Sequence, residues 1–88
     1  MNDATIVNLK ARINMILETV DAMHSGLQVL QDRTDSALVM TTHIGQDSAS
    51  QHVTDALACF GQINQTLEGQ VATIMTAAEA LRRYRDTR

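Results

Sequence analysis

From residue 6 onward, apolar side chains recur in alternating steps of three and four residues: Ile6, Leu9, Ile13, Ile16, Val20, Met23, Leu27 and Leu30, with no polar residue among them. That alternation is the signature of a helix with one apolar seam. The pattern continues more weakly through Thr34, Ala37, Thr41 and Ile44, so the chain predicts a first helix from about residue 4 to about 42, capped by Asp3 or Thr5. A second run, Val53, Leu57, Phe60, Leu67, Val71, Ile74, Ala78 and Leu81, falls on the same grid with Asn64 as its single polar member. It predicts a second helix from about 48 to about 84.

The stretch between them, TTHIGQDSAS, contains Gly45, and the chain has no proline. Glycine accepts the left-handed backbone of a helix C-cap without strain, so His43-Ile44-Gly45 is expected to end the first helix, with a turn over residues 43–47 and a positive φ at Gly45. Ser48 followed by Gln51 has the form of a capping box, and Asp47 offers an alternative cap for the second helix. So short a connection folds the two helices back as an antiparallel hairpin, and the chain is one all-α domain over residues 1–88.

The apolar arcs are wider than one helix pair can cover. The first helix adds Met15, Ala22 and Val29 beside its seam, and the second adds Ala56, Ile63, Ala77 and Tyr84. A lone hairpin would leave these in water, so the pattern predicts a dimer forming a four-helix bundle, with Met15, Val29, Ile63 and Tyr84 at the partner interface. Gly26, Gly61 and Gly69 lie inside the helices at a cost of ~1 kcal/mol each against alanine, which packing must offset. Asn64 either specifies register or partner, as polar seam residues do, or marks an exposed seam end.

Composition narrows the function. With 88 residues the chain has a single marginal core, and with 2% aromatic residues it has few large core-fillers and no base-stacking surface. A formal charge of −3 opposes binding to a phosphate backbone, so no nucleic-acid partner is expected. The arginines at 82, 83, 85 and 88 sit where a helix C-terminus favours cations. The amino terminus has no basic region followed by an unbroken apolar stretch, which is unlike a cleavable signal peptide, and no run approaches the ~18 apolar residues of a membrane span. The expectation is synthesis in the cytoplasm, with export only by a route that reads no such signal.

Candidate chemistry is sparse. His43 and His52 bracket the turn near Asp47, Ser48 and Asp55, but no His-x3-His or Cys-x2-Cys pair puts two metal ligands on adjacent helical turns. Cys59 lies beside the second seam and is read as a small packed hydrophobe, and Met15, Met23, Met40 and Met75 as core. No metal, cofactor or catalytic residue is assigned. The chain is read as a non-enzymatic interaction module.

This organisation resembles the WxG, or Esx-type, family of small type VII secretion proteins, helical hairpins with a Trp-x-Gly at the turn that pair as homo- or heterodimers. In HIGQDSAS, His43 stands where the family usually has Trp and Gly45 where it has Gly, a variant some members carry. The resemblance implies a second small WxG-type protein as partner, a larger secreted effector as further client, and signal-peptide-independent export. The family's export signal includes Tyr-x-x-x-Asp/Glu after the second helix, whereas here Tyr84 is followed at that spacing by Arg88. The departure implies that this chain leaves with, or chaperones, a partner that carries the acid. The alternative is a cytoplasmic homodimeric coiled-coil adaptor with no export role. A subunit of a secretion filament such as the type III needle is a poorer fit, since those hairpins usually turn through proline.

Overall fold

The computed structural model describes residues 3–47 and 49–87, and among them the protein is two helices. α1 spans Asp3–Asp47 and α2 spans Gln51–Asp86. They pack antiparallel as a rod of 69 × 15 × 13 Å. Its radius of gyration is 20.1 Å, against about 12 Å for a compact chain of this length.

The connection departs from expectation. α1 runs through the predicted turn at 43–47 to Asp47, so His43-Ile44-Gly45 is helical, and no glycine among the described residues has a positive φ. Nothing there breaks the helix: no proline intervenes, and the Thr41 and Thr42 hydroxyls donate to the carbonyls of Ala37 and Leu38 one turn back. Gly45 is small for a different reason. A Cβ built on it would stand 3.1 Å from Cγ1 of Val53, so its missing side chain admits α2 where the two helices converge. The cap of α2 is Ser50, extended at φ −141° and ψ 135°, whose hydroxyl accepts from the His52 N–H at 3.2 Å. Gln51 turns forward to donate to Asp55 at 2.8 Å instead of closing a capping box. Asp47 belongs to α1, and Ser48 lies outside the described residues.

On α2 the predicted seam faces α1: every member from Val53 to Leu81, Asn64 included, is buried or half-buried. On α1 two thirds of the predicted seam does so. Ile6, Leu9, Ile13, Val20, Leu27, Thr34, Ala37 and Thr41 are buried or half-buried, but Ile16, Met23, Leu30 and Ile44 are exposed, and Leu17, His24, Gln31, Leu38 and Gly45 take inner positions as well. Two hydrogen bonds between the helices accompany this rotation. Arg85 Nη1 donates to Asn14 Oδ1 at 2.9 Å, and Asn64 Nδ2 donates to Asp35 Oδ1 at 2.7 Å. Asn14 and Asp35 are three heptads apart on α1, matched by three heptads between Arg85 and Asn64 on α2, so both bonds hold one register. In this orientation the row of Asn14 and Asp35 is turned towards α2, and the apolar row on the opposite flank of α1 is turned away.

The buried core is small. Ile13, Leu17 and Ala78 form its centre, with Leu9, Val20 and Leu81 packed around it, near the chain termini. Towards the turn the buried positions include Leu67 and Thr34, whose hydroxyl is satisfied by the Leu30 carbonyl at 2.8 Å. Cys59 is exposed, as are Met15, Met23, Met40 and Met75, so none of the five is core. Each lies on a part of its helix that the single neighbouring helix does not cover.

Two glycines test this geometry. At Gly61 nothing lies within 4 Å of the missing Cβ, so Gly61→Ala should raise stability by ~0.5–1 kcal/mol through helix propensity. Gly45→Ala should recover little of that gain, because its Cβ presses on Val53. Thermal melts followed by circular dichroism decide the matter, and equal gains at both positions would remove the close-approach account of Gly45.

Candidate protein-interaction surface

The hairpin has two unlike broad faces. One carries the polar bonds from Asn14 to Arg85 and from Asp35 to Asn64. The other carries the displaced apolar row of α1, in which Ile16 is 48% exposed, Met23 51%, Leu30 46% and Ile44 59%. Heptad spacing sets the Ala56, Ile63, Gln70, Ala77 and Tyr84 row of α2 beside it, since equivalent flanks of antiparallel helices lie on the same side of the pair. Between the two rows runs an open groove of about 770 Å³, lined by Met23, Gly26 and Leu27 from α1 and by Gly69, Thr73 and Ile74 from α2. Nothing stands within 4 Å of the missing Cβ of Gly26 or of Gly69, so the space over both glycines is open.

The amount of surface is also unusual. A folded chain of 9.7 kDa ordinarily exposes roughly 5,100 Å², whereas this one exposes 6478 Å². The excess of roughly 1,350 Å² is of the order that one partner contributes to a stable protein interface. Single exposed apolar residues are ordinary, but a continuous row flanking a groove marks a contact surface.

The residues singled out from the sequence fall into two groups. Ile63 and Tyr84 are 43% and 42% exposed and share the α2 row beside the groove. Met15 and Val29 are 67% and 52% exposed, but they share with His43 a different row, on the side of α1 that points away from α2. The structure does not bring the two groups together. His43 is exposed and Gly45 half-buried in the last turns of α1. The row that sequence reasoning assigned to the core, Ile16, Met23, Leu30 and Ile44, is the centre of the candidate surface, and the excess width of the apolar arcs was its signal.

Among the described residues, no group of three or more His, Cys, Asp or Glu side chains is placed to hold a metal ion, and no helix is long and apolar enough to cross a membrane. Comparison with protein-family models, with characterised proteins and with solved structures finds no match.

Asn64 sits inside the seam with its Oδ1 buried and without a hydrogen-bond partner. A buried polar atom left unmatched costs ~1–3 kcal/mol. Asn64→Leu should therefore raise the stability of the hairpin, while Asp35→Ala, which strands the amide nitrogen as well, should lower it by ~1 kcal/mol. Chemical denaturation of the two variants checks both signs, and stabilisation by Asp35→Ala would remove the register role of the pair.

Proposed function

We propose that the protein is a non-enzymatic interaction module whose apolar face is covered by a second helical hairpin, forming a four-helix bundle. The observation that carries this reading is the row Ile16, Met23, Leu30 and Ile44, left in water along a hairpin with so small a core. Helical hairpins reach native packing density by pairing such faces, because each helix then has two neighbours instead of one.

Within this reading the protein resembles a WxG-type partner of type VII secretion, acting as dimer partner, adaptor or chaperone for co-export of a helical protein or a larger effector. His43 supports that assignment by its exposure in the last turns of α1, where a reader of the bundle could reach it. Tyr84 lies near the end of α2, and its spacing to Arg88 leaves a Tyr-x-x-x-Asp/Glu signal to the partner.

A second reading, a cytoplasmic homodimeric coiled-coil adaptor with no export role, draws on one observation. His43-Ile44-Gly45 is part of α1 and Gly45 has no positive φ, so the motif is not a turn, and Gly45 has a packing role against Val53 that needs no export machinery.

The two separate on His43. Co-expression with the product of a neighbouring gene, followed by purification and secretion assay, should give a stoichiometric complex. His43→Ala should leave that complex intact and reduce its export if the secretion reading holds. Undiminished export of the mutant complex favours the adaptor, and a chain that stays a well-folded monomer with every helical candidate removes both.

A further inference from the structure

Resting on the reading that a helical partner covers the apolar face, we infer that this partner is a second copy of the chain, laid across the face with its turn at the opposite end. The two flanking rows are self-complementary under that reversal. On α1, Leu9, Ile16, Met23, Leu30, Ala37 and Ile44 are spaced by heptads, so a twofold axis midway between Met23 and Leu30 sets Met23 on the partner's Leu30, Ile16 on the partner's half-buried Ala37, and the half-buried Leu9, at the edge of the core, on the partner's Ile44. Every such pair is apolar. On α2 an axis midway between Gln70 and Ala77 sets Ile63 on the partner's Tyr84. The register held by the bonds from Asn14 to Arg85 and from Asp35 to Asn64 brings these two midpoints to the same height on the rod, within about one residue or ~1.5 Å. One axis therefore serves both rows.

That axis passes through the open groove. Gly26 and Leu27 lie at the α1 midpoint and Thr73 and Ile74 at the α2 midpoint, all four among the groove's lining residues. Closest approach of two copies occurs on the axis, and there Gly26 presents bare backbone with nothing within 4 Å of its Cβ position.

Charge favours reversed over aligned ends. The half of the hairpin nearer the turn carries Asp32, Asp35, Asp47, Asp55 and Glu68 against Arg33 alone, while in the half nearer the termini Lys10, Arg12, Arg82, Arg83 and Arg85 balance Asp3, Glu18, Asp21, Glu79 and Asp86. Reversal sets the balanced half of each copy alongside the acidic half of the other, and alignment sets acidic beside acidic. The excess surface of roughly 1,350 Å² per chain is also enough for a stable symmetric dimer.

Light scattering on the purified chain alone should give a dimer. Gly26→Leu, which fills the axis with a side chain, should raise the dissociation constant by about tenfold or more at unchanged helicity. In a Cys59→Ala background, Gly26→Cys should oxidise to a self-linked dimer. Met23→Cys mixed with Leu30→Cys should link to each other faster than either links to itself, because identical positions then lie about 10 Å apart along the rod. A dimer that links at none of these positions overturns the reversed arrangement. A monomeric chain that forms a one-to-one complex with a different helical protein overturns the second copy while sparing the proposed function, and a monomer that binds no helical partner overturns both.

Discussion

Everything in this hairpin depends on a limit of contact: each helix has one neighbour, and one neighbour covers only a narrow arc of an α-helix. The arcs of apolar residues on both helices are wider than that. On α1 the part that is buried is the one whose flank lets polar side chains meet the other helix. Asn14 and Asp35 reach Arg85 and Asn64 from there, while Ile16, Met23, Leu30 and Ile44 lie outward. Exposed hydrogen bonds of this kind are worth only ~0.5–1.5 kcal/mol each.

The same limit explains the thin core. Ile13, Leu17 and Ala78 give the hairpin a packed end near the termini, while the half towards the turn contains Thr34, Thr41, Asn64 and Gly45 at inner positions. Threonine serves there because its hydroxyl is satisfied within its own helix, as at Thr34 and Thr41. Gly45 serves by letting Val53 approach. These residues hold two helices side by side without much burial, and they leave the larger apolar groups available at the flanks.

The two faces of the hairpin are unlike. The polar face holds bonds that share one register within the chain, and the apolar face is left uncovered by the chain itself. Gly26 and Gly69 line the groove on that face, each at a cost in helix propensity and with nothing at its Cβ position.

The heptad grid of α2, from Val53 to Leu81, determined its inner face by itself, because its side chains are on the whole bulkier than those of the row beside it, Ala56, Ile63, Gln70, Ala77 and Tyr84. The number of helices and their antiparallel pairing were equally legible, since the two apolar runs and the short polar break leave no other arrangement. The rotation of α1 was not legible. Periodicity favours the all-apolar row of Ile16, Met23, Leu30 and Ile44 over the mixed row of Leu17, His24, Gln31, Leu38 and Gly45, yet the second row lies inward, in the orientation in which Asn14 and Asp35 meet residues 71 and 29 positions away. The end of α1 was misread for a related reason: a glycine after a periodic run signals a cap, but Gly45 answers to Val53 on the other helix, a contact that exists only once the chain has folded back. Local pattern determined which residues are helical and apolar. Which apolar row is buried, and why Gly45 is small, was decided by contacts between segments distant in sequence.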